Sequence, residues 1–137
     1  MIRGALSDPD FVGQFSGHET FPLRHLWLRK AYDAVSESSA DGKKIFTDPD
    51  AIARFGVGKN MVASIRFWAL ACEIISEDEG SYSTTPLGDL LFGSEGCDRF
   101  MESLATTWLI HWLLAGRAEN TTTWYWAFNH FLSLIHI

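Results

Sequence analysis

Apolar and polar residues alternate along this chain with helical period through most of its length, and with strand period at only one place. From Leu23 to Val35, Leu23, Leu26, Trp27, Ala31, Ala34 and Val35 recur at three- and four-residue spacing, predicting an amphipathic helix after Phe21-Pro22. A polar stretch, Ser36–Lys44, leads to Ile45-Phe46, a short apolar segment suited to a small strand. Asp48-Pro49 then gives a helix-start signal, because proline at the first helical position loses no hydrogen bond. The predicted short helix Asp50–Phe55 stops at Gly56, a residue able to adopt the positive φ of a tight turn. A longer helix follows over Lys59–Cys72, with Met61, Val62, Ile65, Trp68, Ala69 and Cys72 on its apolar stripe. Two short strands, Ile74–Ser76 and Tyr82–Thr84, flank an acidic turn at Glu77–Gly80, and Thr85-Pro86-Leu87-Gly88 opens another helix. That order predicts a helix-turn-helix with a β wing, the Leu23–Val35 helix supplying the third helix of the core.

Beyond Gly96 the pattern changes. Cys97–Ala115 reads as a helix apolar on most sides, through Phe100, Met101, Leu104, Trp108, Leu109, Trp112 and Leu113. Glu119–Thr123 makes a polar turn before an aromatic-rich helix from Trp124 to Phe131. Such a helix needs packing partners all round, and this chain offers few, so the expectation is a fragment of a longer protein. The ending Leu132–Ile137 resembles translated sequencing adapter; an ordinary alternating strand is the alternative. The expected organisation is therefore residues 1–95 as N-terminal helix and winged unit, 96–131 as the start of a C-terminal helical region, and 132–137 as a foreign tail. The fold class is mostly α with a small β wing.

The 137 residues suffice for one sizeable core, and 47% hydrophobic with 20% charged residues is a globular composition. The apolar run Trp108–Ala115 is too short to span a membrane. No signal peptide opens the chain, and Cys72 and Cys97 lack metal-like spacing, so a reduced cytoplasmic protein is expected. The net charge of −6 is uneven. Arg24–Arg66 carries 8 basic and 5 acidic residues, whereas Phe67–Ile137 carries 2 basic and 9 acidic. The expected reading helix sits in the least acidic third, which modestly favours phosphate contact.

Lys59 and Asn60 in the first turn of that helix, and Ser64 one turn on, have the chemistry that meets phosphates and base edges, and Arg66 is a candidate phosphate contact from its flank. Phe67 does not suit that role; an outward aromatic indicates a second packing layer or a partner interface. The carboxylates of Glu77, Asp78 and Glu79 at the wing tip oppose DNA.

The Ser16-Gly-His-Glu-Thr20 cluster, held between Phe15 and Phe21, presents His18 as a general base or ligand with Glu19 beside it and Arg24 as an anion clamp. The alternative is a loop whose His18 and Glu19 satisfy backbone amides. Pro22 intervenes before His25, so this is not a zinc-protease helix. His111 suits a core or interface position. No nucleophile triad, paired-carboxylate site or metal cluster has recognisable spacing; cofactor use and whether the protein is an enzyme both stay open.

Phe15–Arg24, Gly56–Val62 with Ile65-Arg66-x-Trp68, and Thr85–Gly88 together resemble the bacterial domain-of-unknown-function family 4007, over about Phe15–Phe131. Members of that family are longer than this chain. They tend to lie beside genes for DNA backbone phosphorothioation and defence. The resemblance implies a component of such a system, binding or nicking double-stranded DNA, with sulfotransfer and ATPase proteins as partners; it supplies no catalytic residues. The alternatives from other classes are a protein-interaction domain that docks a partner enzyme, and part of a nuclease that uses His18 and Glu19.

Overall fold

The computed structural model describes residues 4–38 and 44–131. After one 3₁₀ turn at Ala5–Ser7, an irregular segment leads to α1 (Trp27–Ser36), followed by α2 (Ala51–Phe55) and α3 (Lys59–Ala71). An antiparallel hairpin comes next, β1 (Ile75–Asp78) and β2 (Ser81–Thr84), and then α4 (Pro86–Phe92), α5 (Leu104–Gly116) and α6 (Thr122–Trp126). A π-helical turn over Ala127–Phe131 continues α6. The architecture is mostly α with one small sheet, as the periodicity predicts.

α1 lies across α3 and carries α4 and the hairpin on its flank. Leu28, Ala31, Ile65, Ala69, Cys72 and Ile74 are wholly buried at the centre of the core. Tyr32 joins α1 to α4 through a 2.8 Å hydrogen bond from its hydroxyl to Asp89 Oδ1. Burial of the ring, with Asp89 at the hydroxyl, raises the phenol above its ordinary pKa. Ile110, Leu113 and Leu114 of α5 belong to the same buried cluster, so one core contains residues on both sides of the expected boundary at 95/96.

Local chemistry explains most element ends. Asp48 Oδ1 accepts the Asp50 N–H at 2.9 Å ahead of α2, and Gly56 ends that helix at φ 66°. Thr85 caps α4: its Oγ1 accepts the Gly88 N–H at 3.0 Å and donates to the Ile74 carbonyl at 3.0 Å. Gly88 is required by that close approach, since a Cβ there would lie 2.4 Å from the Ile74 carbonyl oxygen. The hairpin register pairs Ile75 with Thr84 and Asp78 with Ser81. Its turn is therefore only Glu79-Gly80, at φ 48° and 78°, the two-residue turn whose twist matches the strands. Glu77 and Asp78 belong to the strand and not to the turn.

Further sequence expectations about the elements need correction. The first helix begins at Trp27 and not Leu23, because Leu26 takes φ 65° and, ahead of it, the Phe21 carbonyl is held by the Trp68 indole of α3. Ile45-Phe46 is buried in a turn whose Lys44 carbonyl accepts from Thr47 and Asp48, so it is no strand. Residues 97–103 are a loop. There Asp98 accepts from the Glu102 and Ser103 amides, Met101 has φ 56°, and Arg29 both donates to the Arg99 carbonyl and lies 4.4 Å from the Phe100 ring centroid. α5 starts only after Ser103, whose Oγ caps it through the Ala105 N–H. Finally, Thr121 and Thr122 of the supposed polar turn are buried, their hydroxyls donating to the Leu114 and Ala118 carbonyls at 2.7 Å.

Among the described residues no helix is long and apolar enough to cross a membrane. Cys72 is buried, which pushes its thiol far above its ordinary value, and Cys97 is exposed; neither is in a disulfide. The expected tail at 132–137 lies outside the described residues.

Candidate functional site

α3 places two kinds of chemistry on one side of the molecule. At its N-terminus, Lys59 and Asn60 are exposed, and among the described residues their side chains make no hydrogen bond or ion pair. Gly58, extended at ψ 162°, delivers them from the turn after α2. Asn60, Ala63 and Phe67 then follow at i, i+3 and i+7, a spacing that puts them on one face.

Ser64 is not on that face. It is 0% exposed, and its hydroxyl points to the Phe21 carbonyl at 3.4 Å, where the Trp68 indole N–H also donates at 3.0 Å. The expectation that Ser64 faces DNA is therefore corrected: it faces the N-terminal segment, one turn before Trp68. Arg66 is committed to the hairpin, donating to the Tyr82 hydroxyl and to Glu77 Oε2, each at 2.5 Å. Burial works against its charge, but Tyr82 and Glu77 outweigh that and hold the guanidinium above its ordinary pKa. The acidic hairpin thus consumes the cation expected at the helix flank.

Phe67 finds its packing layer within this chain. Its ring lies 5.8 Å from the His18 ring at 88°, and 5.1 Å from Trp68 at 81°. The His18 ring lies almost parallel to Trp68, at 11° and 6.1 Å. Its Nδ1 accepts the Thr20 N–H at 3.0 Å, so the proton of the neutral ring sits on Nε2. The loop that carries it is unusual in its backbone: Gly17, Glu19 and Thr20 have φ of 112°, 49° and 66°. A Cβ on Gly17 would lie 2.7 Å from the Phe67 ring. Gln14 fixes the far end of the loop: its N–H donates to the Thr122 hydroxyl at 2.6 Å, and its carbonyl accepts the Thr122 N–H at 3.1 Å.

Glu19 is exposed, and its side chain has no partner among the described residues. Arg24 lies over the Phe21 and Trp27 rings, at 5.8 and 5.4 Å from their centroids. His18, Glu19 and Arg24 are therefore not gathered by any hydrogen bond or ion pair into a catalytic set. Among the described residues no three His, Cys, Asp or Glu side chains group where a metal ion could be held.

What the loop does build is a pocket of about 240 Å³ between itself, α3 and the start of α6. Its walls include Phe15, His18, Phe67, Trp68 and Trp124, the two tryptophans 5.8 Å apart at 73°. Thr20 and Thr123 stand on its polar edge. Sequence reasoning found His18 and Phe67 separately but missed the pocket, because the loop, α3 and α6 meet only through long-range contacts. The one available signal was the aromatic content of all three segments.

The sequence model of the family described as "Protein of unknown function (DUF4007)" matches residues 15–135. The chain belongs to this family. The motifs quoted for the resemblance are the residues that build the loop, the α2–α3 turn and the cap of α4. Two solved structures are similar to this family member. One, titled "Magnesium ion-bound SspB crystal structure", has a TM-score of 0.70 and 32% identity, covering 84% of this chain and 36% of that one. The other, titled "SspB crystal structure", has a TM-score of 0.62 and 35% identity, covering 74% and 31%. The chain thus spans about a third of the length of the structures it matches. A search of curated proteins finds no match.

Proposed function

We propose that this chain is the winged helix-turn-helix, DNA-binding part of a cytoplasmic component of a DNA phosphorothioation-linked modification and defence system. α1, α2 and α3 form the three-helix unit on this reading, and the hairpin is its wing. The observation that carries it is the exposed, unpartnered pair Lys59 and Asn60 at the N-terminus of α3, in the least acidic third of the sequence. Membership of the family and similarity to the SspB structures support the system-level part.

Contact with double-stranded DNA runs through the start of α3 and not through the wing, whose Glu77, Asp78 and Glu79 repel phosphate. In anisotropy titrations of duplex DNA at two salt concentrations, Lys59→Ala weakens binding across all sequences and shallows the salt slope by about one unit. Asn60→Ala instead relaxes sequence preference. Wild-type salt slope and sequence preference in both variants would remove the helix from the interface.

A second reading, docking of a partner such as a sulfotransfer or ATPase protein, is favoured by a different observation. Leu104, Trp108 and Trp112 stand 78, 69 and 65% exposed at i, i+4 and i+8 of α5. Phe67, half-buried under His18, gives that reading no support. Co-purification lost on Trp108→Ala, with DNA affinity kept, would establish it.

A further inference from the structure

We propose that the aromatic pocket beside α3 takes one unstacked nucleobase from nucleic acid lying along that helix. The inference rests on the α3 reading above and adds to it a site for a single base.

The shape limits the occupant first. A volume of about 240 Å³ is below the roughly 300 Å³ at which sites for larger organic ligands begin, so the pocket suits one planar ring system. Its lining is aromatic, His18, Phe67, Trp124 and the almost wholly buried Trp68, and every base has a π-face that can stack on such rings. Its edge carries the hydrogen-bonding capacity that a base requires and an alkyl chain does not. The Thr20 and Thr123 hydroxyls make no hydrogen bond among the described residues, and the Gln14 side chain donates to the Ser16 carbonyl but leaves its own carbonyl oxygen without a partner. An unstacked base is recognised by this combination of aromatic stacking and edge contacts.

Position supplies the last argument. Phe67, a pocket wall, lies on the same face of α3 as Asn60 and Ala63, seven residues or about 10 Å along the helix from Asn60. A strand whose backbone meets Lys59 therefore passes the pocket within a few nucleotides. Phe67 has two environments on this view: its ring packs edge-to-face with Trp68, and it borders the space a base enters.

The test has two arms on the full chain. In the first, anisotropy compares a fully paired duplex with one carrying a single unpaired central adenine at the same salt. The expected preference for the unpaired base is about tenfold, the effect of one stacked base. It falls towards one in Phe67→Ala and, with less risk to folding, in Thr123→Val, and is retained in Phe67→Tyr. In the second arm, free adenosine is titrated against ¹⁵N-labelled protein. The indole N–H signals of Trp68 and Trp124 shift, while those of Trp108 and Trp112, which do not line the pocket, do not.

If the paired duplex binds, a preference of one, or no selective adenosine shift, overturns the proposal. If it does not bind, the α3 reading fails and the adenosine arm alone decides the pocket. Selective shifts from a tryptophan-containing peptide, with none from adenosine, would overturn the base in favour of a protein side chain.

Discussion

Ser64 and Trp68 illustrate how a single residue is read correctly or wrongly from a helical wheel. The wheel assigns Val62, Ile65, Trp68 and Ala69 to the core, and they are buried. It assigns Ser64 to solvent because it assumes that α3 has one packing face. The N-terminal loop adds another, and Ser64, one turn before Trp68, shares the Phe21 carbonyl with it. Serine at i and tryptophan at i+4 on one helix was the legible sign of a shared acceptor, though not of what supplied it. The two donors are unequal. Ser64→Ala removes a long hydrogen bond whose acceptor keeps the indole, so stability changes by less than about 1 kcal/mol and duplex affinity is unchanged. Trp68→Phe removes the shorter bond and the ring area under His18, and costs about 2 kcal/mol in urea unfolding. A drop in duplex affinity for Ser64→Ala, with unfolding unaltered, would return that hydroxyl to the interface.

Elements were legible where their ends are written in short-range chemistry. The cap at Thr85, the turn at Gly56 and the hairpin about Gly80 follow from residues within four positions, and each is present. The start of α5 was misplaced because the apolar pattern runs on through residues 97–103, whose loop is held by contacts from α1 that no local pattern encodes. The capping Ser103 was the available correction.

That loop should show in the pH profile. Hydrogen bonds from Thr106 and from the Glu102 and Ser103 amides, with His25 nearby, hold the Asp98 carboxyl below its ordinary pKa. Because the folded value is the lower one, the stabilisation is complete above the unfolded value of about 3.9 and is lost as pH falls through the folded value. Asp98→Asn should therefore lie furthest below wild type near neutrality, with the two urea midpoints converging as pH falls below about 4. A constant gap would show that the charge of Asp98 contributes nothing. The hairpin makes a separate prediction. Glu77→Gln removes a carboxylate beside Arg66 and should tighten duplex binding roughly threefold at low salt, with no gain near 1 M salt, where the screening length is about 3 Å. Equal gains at both would place the effect in folding and not in the field of the hairpin.

On the scale of the whole molecule, the sequence indicated a shortage of packing partners but not where the shortage would fall. α5 buries Thr106, Ile110, Leu113 and Leu114 against the core and turns Leu104, Trp108 and Trp112 outward. His111 stays half-buried because Phe128 of the π-helical turn packs on its ring at 4.4 Å. The inner row of α5 holds the fold together, and the outer row does not. Tryptophan area is the largest apolar contribution a residue can make, yet here Trp108 and Trp112 make little of it within the described residues. Replacing Trp108 and Trp112 together by Glu should thus leave urea unfolding within about 1 kcal/mol of wild type, as for other exposed positions. The same pair should sharply reduce binding of a hydrophobic dye, because it interrupts the apolar row at both of its bulkiest points. Leu113→Ala, one residue from Trp112 but on the inner face, should cost about 3 kcal/mol and leave dye binding by the folded protein unchanged. Should the double Glu variant unfold as readily as Leu113→Ala, the outer row would be part of the core after all.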